Sequence, residues 1–297
     1  MVIHFENYKM MSMNLPAYDG HLRSSIELLI HSNLVAAVCV ATLTLLAFIL
    51  LKHPIIVTLI LVAFSGTLLI YTLNRFSDIR EDSINLPGRV AFIRRYGRII
   101  LIFSAVVYGV SLVMIALHST IAAVVAVLPV LIAISYSFFR LKRYFLIKNI
   151  LTCAGVICSI LIVGAYYDDF STGMLFLTVI VFIAALVNTI IFDIKDIKGD
   201  TLCNIRTIPV TCGFTMTKYC CYALLIPLFL ITFYLTSRDP RFAVLFPFLG
   251  YIAKYTYLLK DPDNYPGWYF GLFVDGEYIF LFFIILILVL GGFLPLS

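Results

Sequence analysis

The chain alternates long apolar runs with short polar connections. An α-helix needs about 17 to 25 apolar residues to cross a bilayer. Nine such runs stand out: 27–51, 54–73, 97–117, 120–138, 149–167, 173–192, 218–236, 242–259 and 270–294. Gly250, Lys254 and several tyrosines interrupt the eighth. Runs of this length predict helices and not strands. The expected fold is therefore all-α: a polytopic membrane protein with nine transmembrane helices.

The connections test this count. If they are assigned alternately to two sides, one side takes the N-terminal segment and the connections after runs 2, 4, 6 and 8. Of the 21 Lys and Arg, only Lys52, Arg238 and Arg241 then fall on the other side. Such a bias marks the cytoplasmic side. Composition agrees, with 62% apolar residues, 12% charged and a mean hydropathy of +1.05, far from soluble domains. The net charge of +5 does not imply nucleic acid, because the basic residues sit in short connections between apolar runs; the partner implied is the lipid bilayer.

Residues 1–26 contain acids and a proline but no continuous apolar core. They are expected to be an interfacial lead-in and not a cleaved signal peptide. Residues 27–297 read as one domain, with short linkers and a turn at DPDNYP, 261–266. The seven cysteines lack paired metal-ligand spacing and mostly lie in or beside apolar runs, which fits reduced packing residues.

Candidate chemistry gathers at two run ends. In YTLNRFSDIRED, Asn74, Asp78 and Asp82 stand four residues apart and share one helical face. In FDIKDIKGD, Asp193, Asp196 and Asp200 do the same with spacings of three and four. Asp78 and Asp82 precede Asp196 and Asp200 by one and the same offset, as a duplicated helical unit would leave them. The expected architecture is two similar four-helix halves plus a ninth helix around a central cavity. Capping in a wet loop would explain one such aspartate, but two matched clusters point to function, since acids at a membrane boundary are costly unless solvated, paired or bound to a cation. Oxygen donors without neighbouring His or Cys favour Mg²⁺, and Mg²⁺ in turn favours a phosphate-bearing ligand such as a diphosphate.

Basic residues near the acids suit that ligand. Arg140, Lys142, Arg143 and Lys148 crowd the connection YSFFRLKRYFLIKN, Arg206 follows Asp200, and Arg89 follows the first cluster. Fixed cations around a leaving diphosphate stabilise its growing charge, whereas Arg94, Arg95 and Arg98 suit topology and lipid headgroups. Among the aromatics, Tyr71 and Tyr136 lie near the acidic face and are candidates for lining a lipid-tail tunnel and stabilising a carbocation. Asn33 and Asn188 are polar within apolar runs, so each is expected to bond a neighbouring helix or a substrate headgroup.

These features resemble the UbiA superfamily of intramembrane prenyltransferases. NRFSDIRED matches the first Asp-rich motif, N-x-x-x-D-x-x-x-D, and DIKDIKGD the second; IRTIPVTCG and YSFFRLKRYFLIKN are further similarities. The resemblance covers nearly the whole chain and implies Mg²⁺-dependent transfer of an isoprenyl group from its diphosphate to an aromatic or lipid-precursor acceptor. It places Asn74, Asp78, Asp82, Asp193, Asp196 and Asp200 around the metal. Lys142, Arg143, Lys148 and Arg206 fall on the diphosphate, and Asp78, Asp196 and Lys142 carry catalysis. Arg75 stands where many members have aspartate, and INLPGR replaces an arginine-and-proline pattern common in aromatic prenyltransferases. The donor half of the reaction is thus better specified than the acceptor half. The alternatives are a terpene cyclase with the same machinery and no separate acceptor, and a cation or proton transporter. Transport is disfavoured because both acid clusters lie on one side and the halves run in the same orientation.

Overall fold

The computed structural model describes residues 31–77, 79, 87–138, 144–202, 205–261, 265 and 269–292. The expected lead-in 1–26, Asp78, Asp82, Arg140, Lys142, Arg143 and the side chain of Tyr136 lie outside the described residues. Helices run in order as α1 (Leu34–Leu51), α2 (Val57–Ser77), α3 (Pro87–Ala116), α4 (Thr120–Phe138), α5 (Ile147–Tyr167), α6 (Thr172–Lys195), a short α7 (Ile197–Leu202), α8 (Ile208–Arg238), α9 (Leu245–Leu258) and α10 (Glu277–Leu290). A 3₁₀ turn, Pro240–Val244, precedes α9, and a π-helical turn, Tyr269–Val274, precedes α10. No strand occurs among the described residues.

The protein is all-helical, and six of its described helices are long and apolar enough to cross a membrane: α1, α2, α3, α5, α6 with α7, and α8. Thr120–Ser135 and Glu277–Leu290 are shorter apolar helices. Two helices start well before their apolar runs. α3 begins at Pro87 and α8 at Ile208 because polar residues do not stop a helix, and a proline in the first turn suits one. Gly213, at φ 77°, kinks α8 within that lead.

Neighbour relations repeat along the chain. α2 packs on α1, α3 and α4 as α6 packs on α5, α8 and α9. α5 joins the two sets through α4 and α1, and α10 lies against both α1 and α9, closing the arrangement. α6 lies deep, burying Leu177, Ile180, Ala184, Val187, Ile190 and Ile191. α3 instead exposes Ile99, Ile102, Phe103, Val106, Val110 and Val113, a stripe that needs lipid as its solvent.

At the end remote from the acidic segments, polar side chains clasp three connections. His53 Nε2 lies 2.8 Å from Asp169 Oδ2, and the Tyr167 hydroxyl donates to Pro54 O at 2.7 Å. Asp239 receives the Arg241 guanidinium, which also donates to Ile49 O at 3.3 Å. The hydrogen bonds from Arg241 hold the Asp239 carboxyl down to about 2, against partial burial, which acts upward. A depressed carboxylate contributes stability above its unfolded value and loses it as pH falls through the folded one. We therefore expect melting of detergent-solubilised protein to show a loss between about pH 4 and pH 2 that Asp239→Asn abolishes. At neutral pH the same substitution should cost about 1 kcal/mol.

Candidate active site

The site begins with the spacing of α2. Ala63, Gly66, Thr67, Ile70, Tyr71 and Asn74 recur at three- and four-residue intervals and so line one side of a cavity of about 210 Å³. α5 supplies the facing wall in the same way, from Lys148 at the mouth to Ile162 in the depth, and α4 adds Pro129, Val130 and Ala133. Asn74, Arg75 and Lys148 mark the polar mouth, while the walls are mostly aliphatic.

Lys148 connects this mouth to the second acidic segment. Its ammonium donates to Asp193 Oδ1 at 2.7 Å and lies 3.8 Å from Asp200 Oδ2. Asn149 Nδ2 donates to Asp193 Oδ2 at 2.8 Å. Both Asp193 oxygens are therefore engaged by the first turn of α5, and the residue is 1% exposed. Such pairing is what allows a carboxylate to be buried at all.

The second segment is not one continuous helix. α6 ends at Lys195, Asp196 adopts φ −95° and ψ 4°, and α7 restarts with its Asp200 amide donating to Asp196 O at 2.8 Å. The break bends the segment at Asp196, yet Lys148 lies against both Asp193 and Asp200 and within electrostatic reach of Asp196. Asp193 is turned into α5, Asp200 is buried beside Lys148, and Asp196 is half-buried at the corner. Among the described residues, no three acid, His or Cys side chains form a ready-made metal cluster; the donors that are present, Asn74, Asp196 and Asp200, are hard oxygen groups suited to Mg²⁺.

The remaining candidates divide clearly. Tyr71 lines the cavity, next to Asn74. Arg206 is exposed on the connection between α7 and α8. Asn33, at φ 61°, stands at the start of α1 and does not line the cavity. Asn188 donates to Val274 O at 3.3 Å and so ties α6 to the last apolar segment.

Several residues escaped the sequence reading. Asn149 and Lys195 were given no role of their own, yet one holds Asp193 and the other lays its ammonium 5.1 Å from the Phe192 ring centre and 5.6 Å from that of Phe270. Asp275 lies within electrostatic reach of Lys195, Arg89 and Arg75. Glu277 is fully buried, accepting from the Tyr255 hydroxyl at 2.7 Å. The signal for both acids was their position inside an apolar run.

The chain's sequence matches the UbiA prenyltransferase family over residues 33–274, and the chain belongs to that family. Its fold is similar to that of a UbiA homolog from Archaeoglobus fulgidus, in a structure bound to GPP and Mg²⁺. The two share 15% identity at a TM-score of 0.64, over 88% of this chain and 99% of that one. A second structure of a UbiA homolog from the same organism, bound to DMAPP and Mg²⁺, is similar at a TM-score of 0.61 with the same identity and coverage. No curated protein matches the chain.

Asp193→Asn should leave Lys148 without its nearest counter-charge. We expect a stability loss of about 2 kcal/mol, as for a hydrogen bond to a charged group, read as a lower melting midpoint in detergent. Asn149→Ala should reproduce part of that loss without altering charge.

Proposed function

We propose that the protein is an intramembrane, Mg²⁺-dependent prenyltransferase that moves an isoprenyl group from its diphosphate to an aromatic or lipid-precursor acceptor. The observation that carries this reading is a cavity whose polar mouth joins Asn74 to Lys148, and through Lys148 to Asp193 and Asp200, while its walls are apolar. A phosphate head and a hydrocarbon tail ask for that combination. The ligands in the archaeal structures support the same donor class.

In this reading nine helices cross the membrane within one domain over 27–297, residues 1–26 lie along the interface, and the mouth faces the cytoplasm, as the Lys and Arg bias favours. Asn74, Asp78, Asp82, Asp196 and Asp200 hold the metal. Asp193, with both oxygens engaged on α5, completes the acidic set mainly by fixing Lys148. Mg²⁺ held by these residues would supply positive charge to neutralise the diphosphate as a leaving group. Lys148, Lys142, Arg143 and Arg206 contribute fixed positive charge around its oxygens. The apolar walls exclude water, so the allylic cation formed as the carbon–oxygen bond breaks is captured by the acceptor. The ring of Tyr71, beside Asn74, offers its face to that cation.

Asp196→Ala is expected to lower turnover at least about 100-fold, as loss of a preorganised charge does at a reacting centre, with the melting midpoint unchanged. Chelating Mg²⁺ with EDTA should do the same reversibly. The assay is extraction of labelled lipid product from membranes supplied with radiolabelled farnesyl or geranylgeranyl diphosphate. Full activity of Asp196→Ala and Asp78→Ala overturns the assignment, and terpene release by purified protein without acceptor turns it to cyclisation.

A further inference from the structure

The cavity has a blind end. Along α5 it runs from Lys148 to Ile162, about 21 Å at the helical rise, and along α2 from Arg75 to Val62, about 20 Å. Val62 and Ile162 are 3% and 2% exposed, and Leu59, Ile115 and Ala122 in the same packed core have at most 1%. An extended isoprene unit adds about 5 Å, from four carbon–carbon bonds of about 1.5 Å in zigzag. The depth therefore holds four units.

Two glycines shape the middle of this path. Gly155 is two turns from Lys148, about 10 Å down, and Gly66 is at a similar depth below Asn74. A methyl group built on Gly155 meets nothing within 4 Å, so the backbone there borders open space. A methyl group on Gly66 meets the Tyr108 ring at 3.1 Å. Tyr108 thus enters the cavity wall through the gap that Gly66 leaves. Its hydroxyl is fixed by donating to Ala126 O at 2.9 Å, in the stretch of α4 that Pro129 loosens by lacking an N–H.

Resting on the prenyltransferase reading, we infer that this cavity is a gauge for donor length: it accepts prenyl diphosphates of up to four isoprene units, Gly155 admitting the third and fourth and Tyr108 narrowing the lower half. Gly155 and Tyr108 are specificity residues and touch only the tail. A leucine at position 155 fills the open space two turns down and leaves room for two units. Alanine at position 108 widens the lower half.

The test is competition against radiolabelled geranyl diphosphate on full-length protein in nanodiscs with Mg²⁺, using unlabelled diphosphates of one, two, four and eight units. Wild type should bind the four-unit donor tightly and the eight-unit donor at least about tenfold more weakly, the scale that pocket-size discrimination reaches. Gly155→Leu should lose at least about tenfold for four units and keep one- and two-unit binding within about threefold. Gly155→Ala, with the smaller side chain, should show the same order with a smaller change. Tyr108→Ala, which widens the lower half without moving the end at Val62 and Ile162, should tighten four-unit binding relative to two-unit binding and still exclude the eight-unit donor, whereas Tyr108→Phe, which keeps the ring, should match wild type. Retained binding of the short donors shows that each variant is folded. Equal affinity for four and eight units in wild type, or unchanged four-unit affinity in both Gly155 variants, overturns the gauge while leaving the donor class intact. Absence of any Mg²⁺-dependent binding overturns the donor class itself, and the gauge with it.

Discussion

A charge inside an apolar bundle must be answered by another group, and here the answer is the triangle of Lys148, Asn149 and Asp193. Desolvation of either charge alone would cost several kcal/mol. Together they fix the start of α5 against the end of α6, at 2.7 and 2.8 Å. Because Lys148 is also the cavity's rim, the same contact that settles burial of Asp193 sets where the mouth lies relative to Asp200. Architecture and chemistry are therefore fixed by one set of side chains.

Much of this was legible beforehand because the bilayer simplifies the code. Long apolar runs gave the helices, and the equal spacing of two acid clusters raised the expectation of a duplication, beside which the neighbour relations of α2 and α6 run in parallel. The early starts of α3 and α8 were not legible, since hydropathy marks the membrane and not the helix. Nor was the break at Asp196, because identical spacing suits both a straight helix and one that pauses for a single residue. Asn149 carries no pattern of its own; only the facing Asp193 gives it meaning. Gly155 and Gly66 carry no signal of their own until two helices are laid against one space.

The two ends of the bundle divide the work. The remote end is held by ion pairs and hydrogen bonds among connections, Asp239 with Arg241 and Asp169 with His53. The acidic end keeps oxygen donors and cations around a mouth, an arrangement that gains from a multiply charged ligand. Between them, the exposed aliphatic stripe of α3 matches lipid and leaves the deep packing to α6. Rigidity on one side and polar, ligand-ready groups on the other are consistent with a bundle that binds from a single direction.

Among the described residues, only the segment before α10 enters its helix through a π-helical turn. Its π-helical turn and the tight Gly276, where a methyl group would sit 2.2 Å from Leu272 O, leave carbonyls that the helix itself does not fully use. Tyr251, Asn188 and Cys39 donate to the carbonyls of Phe273, Val274 and Asp275 respectively. Those donors come from α9, α6 and α1, all synthesised earlier. The final apolar segment is thus pinned from three sides, its backbone acceptors shared among helices that lie far apart in the chain.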